Sequence, residues 1–138
     1  MNREIKFRGR CDRERSRFFG KWIYGLITKS NSRGKPLLIQ EDDGLHTQVN
    51  PATIGQFTGL LDKNGTKIYE GDILLVYEND PNLEDVKTPV YFENGCFMVD
   101  VYMGRNCLHE FTWGCTSRIK VIGNIHDNPE LMPEEDGE

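Results

Sequence analysis

Nothing in this sequence can cross a membrane as a helix, because no window approaches the about 18 consecutive apolar residues that such a span requires. The first residues, Met1-Asn2-Arg3-Glu4, hold no apolar h-region, so no secretory signal is expected and the cytoplasm is the expected compartment. No window sustains a 3.6-residue apolar period, which argues against any long helix. No long repeat is present.

The motifs of common chemistries are missing as well. There is no Gly-x-x-x-x-Gly-Lys phosphate loop, and no Gly-x-Gly-x-x-Gly opens a helix. The four cysteines are Cys11, Cys96, Cys107 and Cys115, and no two of them have zinc-ligand spacing. Cys107 with His109 and Cys115 is one ligand short of a site. The cysteines read as small apolar residues on strands, reduced in a reducing cell. Cys107 and His109 sit two apart on an expected strand, which would put a thiol and an imidazole on one face. No Gly-x-Ser-x-Gly turn or oxyanion-hole motif accompanies them, so ordinary strand side chains are the simpler reading. Asp62, Glu70 and Asp72 miss the calcium-loop pattern, and turn capping accounts for Asp62 and Asp72. His46 and His126 read as polar residues of turns and strand ends. No catalytic residue, metal, cofactor or small-molecule ligand is expected.

What the chain does have is β patterning. With seven Phe, five Tyr and two Trp in 138 residues, one domain can bury a core without staples. Arg3 to Cys11 alternates, with Ile5, Phe7 and Cys11 on one side and Lys6, Arg8 and Arg10 on the other. That pattern predicts a half-buried strand with a cationic outer face. Phe18 to Ile27 is largely apolar on both faces, with Phe18, Trp22, Tyr24 and Leu26 on one and Phe19, Ile23 and Ile27 on the other, which predicts a covered strand, central or in a barrel wall, bent at Gly20 and Gly25. Ser30–Pro36 is a loop by composition. Leu37–Gln40 and Leu45–Val49 form a hairpin about Asp42-Asp43-Gly44. Asn50-Pro51 caps one helical turn.

The densest stretch is 54–77. Ile54, Phe57, Leu60 and Leu61 anchor it, Asp62-Lys63-Asn64-Gly65 turns it, and Thr66–Tyr69 returns. Asn64-Gly65 predicts a type I′ hairpin, which needs positive φ at both central residues. Gly71 and Asp72 turn the chain into Ile73–Tyr77, a strand buried on both faces. An acidic loop follows. A second Asn-Gly turn, Asn94-Gly95, joins strands over Lys87–Phe92 and Cys96–Tyr102, with Phe97, Val99 and Val101 on one face of the second. Leu108–Trp113 and Arg118–Ile125 complete the strands.

The net charge of −5 conceals a split. Residues 1–35 hold eleven Lys and Arg against three acids, a net +8, and residues 36–138 hold six against nineteen, a net −13. A basic arm on an acidic body suits nucleic acid or another copy of the chain. Lys6, Arg8, Arg10, Arg13, Arg15 and Arg17 are the candidate contacts, with Phe18, Phe19 and Trp22 nearby as stacking surfaces.

Three stretches together carry a family resemblance. They are Arg3–Arg8, the run from Val49-Asn50-Pro51 through Thr53-Ile54-Gly55-Gln56-Phe57-Thr58-Gly59-Leu60, Asp62–Gly65 and Ile68–Ile73, and the closing Val121-Ile122-Gly123-Asn124-Ile125-His126-Asp127-Asn128-Pro129-Glu130-Leu131. In these the chain resembles the YopX family of phage and prophage proteins. The resemblance implies a mostly β fold, a bacterial or phage cytoplasm and no established activity, and it brings no catalytic motif with it.

The expected object is therefore mainly β, one domain over 1–127 with basic strands in 1–50 and a β core in 51–127. About nine or ten antiparallel strands, with at most one or two helical turns, would form a pseudo-barrel or SH3-like core. An acidic, disordered tail would follow over 128–138. The expected function is a non-enzymatic, self-associating binding or assembly module of a phage or prophage. The alternative is a nucleic-acid-associated factor that uses the basic arm. No membrane partner is expected.

Overall fold

Strands form where apolar side chains alternate with polar ones, and the reversals fall on glycine, asparagine and aspartate. The structure, a computed structural model, describes residues 4–29, 37–78, 81–101, 104–113 and 115–133. The loop expected at Ser30–Pro36 lies outside the described residues, as do Asn79, Asp80 and residues 134–138. The chain divides into two compact units, Met1–Phe57 and Thr58–Glu138.

In the first unit, strands β1 (Phe7–Arg10), β2 (Trp22–Lys29), β3 (Leu37–Gln40) and β4 (His46–Gln48) are joined by the opening residues of β5 (Gly55–Leu61). Their order is β4-β3-β2-β1-β5, with antiparallel neighbours throughout. The expected hairpin about Gly44 is β3–β4, with Gly44 at φ 86°. Asn50 caps the 3-10 turn Pro51–Thr53, its side-chain oxygen accepting from the Ala52 amide at 3.0 Å. Cys11, Ile23, Ile39 and Val49 are the buried core, with Phe18 and Ile54 packed against it. Gly9 is required there, since a Cβ would lie 2.8 Å from the Val49 side chain.

Two expectations for this unit are corrected. β1 pairs on both sides, with β2 and with β5, so it is a central strand. Its cations lie on the side of Tyr24 and Trp22, away from the Cys11 and Ile23 core, but Arg8 is covered there at 6% exposed, so the outer face is not cationic and open throughout. β2 is central as expected, yet one of its faces is open, with Tyr24 41% and Leu26 53% exposed. Local alternation identifies two faces, and only the rest of the chain decides which of them is covered.

In the second unit the remainder of β5 neighbours β6 (Lys67–Tyr69), and β7 (Asp72–Val76), β8 (Val86–Pro89), β9 (Tyr91–Glu93), β10 (Cys96–Val101) and β11 (Gly104–Cys107) follow. Helix α1 (Leu108–Thr112) leads into β12 (Ile119–Asn124). The strands form antiparallel sheets of order β12-β7-β8 and β11-β10-β9. Alternate residues Phe97, Val99 and Val101 of β10 turn inward with Ile68, Leu74, Val76, Val90, Leu108 and Ile119. At about 1.5–3 kcal/mol for each large apolar side chain buried, this cluster outweighs the smaller core of the first unit.

The mainly β, antiparallel expectation holds, with twelve strands among the described residues in place of nine or ten. None of the described sheets closes into a barrel. The described residues hold three short helical segments rather than one or two turns: Pro51–Thr53, Leu108–Thr112 and Pro129–Leu131. The last of these orders part of the stretch expected to fray. Leu108–Trp113, expected as a strand, is instead α1 ending at Trp113, which adopts a left-handed conformation (φ 49°). Leu108 and Thr112 are buried four residues apart, one turn of a helix, in a run too short to stand out.

The two Asn-Gly turns differ. Asn94 (φ 54°) and Gly95 (φ 81°) both take positive φ, as a type I′ turn needs. At Asn64-Gly65 only Gly65 does, at φ 82°, so the type I′ expectation fails there. The Gly65 amide donates to the Asp62 carbonyl at 3.0 Å and the Asp62 amide to the Thr66 carbonyl at 2.8 Å. This is the longer hairpin, a turn followed by a left-handed glycine.

Candidate functional site

The six expected contact cations fall into two groups. Lys6, Arg8 and Arg10 belong to the sheet. Arg8 lies opposite Tyr24, and Arg10 opposite Trp22. The Arg8 guanidinium stacks 4.7 Å from the centre of the Trp22 ring, an arrangement worth about 0.5–2 kcal/mol. Arg10 is half-buried, and its backbone is held at both ends. Its amide donates to Thr53 Oγ1 at 2.8 Å, and its carbonyl accepts from the Asn50 amide at 2.9 Å. Half-buried Lys6 lines a hollow of about 220 Å³ with Glu4, Ile5, Gly25, Leu26 and Asp42.

Arg13, Arg15 and Arg17 are exposed, in the turn-rich segment between β1 and β2. That segment is ordered by Ser16. Its amide donates to the Arg13 carbonyl at 3.0 Å, and its hydroxyl accepts from the Phe18 amide at 3.0 Å. Arg17 stacks 4.9 Å from the Phe18 ring centre, and Phe19 beside it is 54% exposed. The first unit thus presents three exposed arginines, the open Tyr24 and Leu26 face of β2, and Ile5, itself 56% exposed. Sequence reasoning placed Tyr24 and Leu26 inside. Their exposure had no local signal, because apolar and aromatic side chains in strands suit covered and open faces alike.

Two of the three carboxylates weighed as a cation site, Asp62 and Asp72, are committed to the backbone. Asp62 Oδ1 accepts from the amides of Asn64 at 2.8 Å and Thr66 at 2.9 Å, and Oδ2 from Val121 at 2.9 Å. Burial pushes the Asp62 carboxyl up, but those three amides and the charge of Lys120 outweigh it and hold the group below the ordinary carboxylate range. Asp72 Oδ2 accepts from the Tyr69 amide at 2.7 Å, beside Gly71 at φ 93°. Both act as the turn caps that the sequence predicts. Among the described residues, no group of three His, Cys, Asp or Glu could hold a metal ion.

Cys107 ends β11 while His109 belongs to α1, so the two do not share a strand face. His109 donates from Nε2 to the Thr58 carbonyl at 2.8 Å, so that nitrogen is committed to holding backbone. His46 is exposed at the start of β4, and its Nδ1 lies 3.3 Å from Thr28 Oγ1.

The closing signature is a backbone clasp, and its bonding was missed in the sequence. Asn124 Oδ1 accepts from the amides of His126 at 3.0 Å and Asp127 at 2.9 Å, and Asn124 Nδ2 donates to Asp127 at 3.1 Å. Asn128 closes the loop from the other side, its amide donating to the Asn124 carbonyl at 2.8 Å and its Oδ1 accepting from the Asn124 amide at 3.2 Å. The run of Asn, Asp and Asn residues was the available signal, since these side chains bond to nearby backbone.

Comparison with known proteins agrees with this architecture. Residues 6–133 match the family described as YopX protein. Protein EF1440 from Enterococcus faecalis is 24% identical, the match covering 96% of this chain and 100% of that one with a TM-score of 0.55. Protein yopX from Bacillus subtilis is 17% identical, with 98% and 100% covered and a TM-score of 0.57. At these identities the likeness speaks for the fold alone. No curated protein gives a significant match.

Proposed function

This chain belongs to the YopX family, and from that premise we propose that it is a non-catalytic binding and assembly module that associates with further copies of itself. The family resemblance points to a phage or prophage accessory role in a bacterial cytoplasm. The observation that carries the reading is the coincidence, in the first unit, of exposed apolar side chains with the basic arm. Ile5, Phe19, Tyr24 and Leu26 are open on the unit that holds the +8 segment, while the rest of the chain carries −13. Exposed ion pairs contribute only about 0–1 kcal/mol each, so burying the apolar side chains supplies the affinity and the charges supply steering and register. The non-catalytic part of the reading draws support from Asp62, Asp72 and His109, whose polar atoms hold backbone.

Light-scattering mass on a sizing column, at low and high salt, tests this. The expected result is a multimer that weakens as salt rises and falls to monomer when Leu26→Asp is combined with Arg13→Glu, Arg15→Glu and Arg17→Glu. A monomer at every concentration and salt would sink the proposal.

A second reading rests on the Arg17–Phe18 stack with Phe19 open beside it, a pairing of cation and ring that could take a nucleic-acid strand. It predicts a shift in mass with a single-stranded oligonucleotide at low salt only, and loss of that shift in the triple arginine variant.

A further inference from the structure

We propose that Cys96 and Cys107 form a reversible dithiol–disulfide pair, oxidised by peroxide and restored by a dithiol reductant. Cys96 opens β10 and Cys107 closes β11. The ladder sets Cys107 opposite Met98, which is two residues from Cys96 on its own strand. Side chains two apart on a strand share a face, so both thiols project from the same side of the hairpin as diagonal neighbours. They are in hydrogen-bonding contact with each other. Both are half-buried. Cys11, by contrast, is buried in the other unit, and Cys115 is exposed with Ser117 Oγ as its neighbour at 3.3 Å.

The hydrogen bond to Cys107, that residue's charge, burial and Glu110 push the Cys96 thiol up. In the proposed step Cys107 attacks and Cys96 resolves. The Cys107 thiolate attacks one oxygen of hydrogen peroxide. The O–O bond breaks, one water leaves, and Cys107 becomes a sulfenic acid. Cys96 sulfur then displaces the hydroxyl from that sulfur, and its own proton leaves with the hydroxyl as the second water. Two electrons from the two sulfurs have reduced one peroxide to two waters. A dithiol reductant reverses the bond by thiol–disulfide exchange. The closed bond ties the start of β10 to the residue that enters α1.

The test uses the full reduced chain, treated at neutral pH with one equivalent of hydrogen peroxide, then alkylated, digested and weighed by mass spectrometry. The expected product links the Cys96 and Cys107 peptides with loss of two hydrogens, and leaves Cys11 free. In Cys96→Ser the Cys107 sulfenic acid persists and is captured by dimedone. Recovery of both thiols fully alkylated at a peroxide dose that oxidises Cys115 would overturn the proposal. So would formation of the same link at the same rate in the urea-unfolded chain, since the folded hairpin would then contribute nothing.

Discussion

Asp62 and Val121 stand 59 residues apart in sequence, and the carboxylate of one accepts the amide of the other at 2.9 Å. The same carboxylate holds its own hairpin through Asn64 and Thr66, so one side chain fixes the β5–β6 turn and the start of β12's path beside it. Asp62→Ala leaves three amides without this acceptor. Hydrogen bonds to a charged group contribute about 1.5–3 kcal/mol each, and water replaces some of them at the turn, so a total loss of about 2–4 kcal/mol is expected in urea unfolding. An unchanged midpoint would refute this role.

The same group sets an acid limit on stability. Its folded pKa lies below the ordinary 3.8. A depressed carboxyl contributes stability that is fully present above the unfolded value and lost as pH falls through the folded one. The stability gap between the wild type and Asp62→Asn should therefore be constant from neutral pH down to about pH 5 and narrow below about pH 4. Denaturant midpoints across that range measure it, and a gap that widens on acidification would reverse the assignment.

Arg8 and the exposed arginines should separate cleanly. Arg8 is buried under Trp22, whereas Arg13, Arg15 and Arg17 face solvent. Arg8→Glu puts an acid where a cation stacked on a ring, and should cost about 2–4 kcal/mol of stability by thermal or urea unfolding. The same reversal at Arg13, Arg15 or Arg17 should move stability by less than about 0.5 kcal/mol and act only on association. Equal effects at Arg8 and Arg15 would mean that the two groups do not differ as described.

Two turns with the same dipeptide should respond differently. Asn94→Ala forces a Cβ residue without a bonding side chain into φ 54°, and should cost about 1 kcal/mol. Asn64→Ala changes an exposed residue outside that region of φ, and should be neutral within about 0.5 kcal/mol. Equal losses at the two sites would contradict the turn assignment.

Those turns also show what the sequence could disclose. Asn94-Gly95 declares its geometry because nothing outside the dipeptide interferes. At Asn64-Gly65 the register is decided by Asp62, which closes a longer loop through Thr66 and is itself held by distant Val121. Strand alternation located Phe97, Val99 and Val101 on the core face because a period of two is local. It could not tell that Arg8 would be covered by Trp22 and Leu26, on the same face, left open, because coverage depends on which neighbours reach over each residue. The candidate surface was legible as charge and illegible as shape: Arg13, Arg15 and Arg17 were found, while Tyr24 and Leu26 were assigned to the interior. Leu108–Thr112 offered only one helical turn of pattern, too little to outweigh the strands around it.

Gly123 and Asn128 provide the strongest test of the closing clasp. A Cβ at Gly123 would come within 2.5 Å of Asn128 Oδ1, the atom that accepts the Asn124 amide. Gly123→Ala must push that side chain away and so costs both steric relief and a hydrogen bond, about 1–3 kcal/mol together. Asn128→Ala loses the bond but removes the two closest atoms, Oδ1 and Cγ. In the double variant the added methyl then faces only the Cβ of residue 128, 3.0 Å away, so the combined loss should fall short of the sum of the two single losses by at least about 0.5 kcal/mol. Urea unfolding of the four proteins gives the cycle. Strict additivity would show that Gly123 is required for some reason other than the approach of Asn128, and the clasp would lose its explanation.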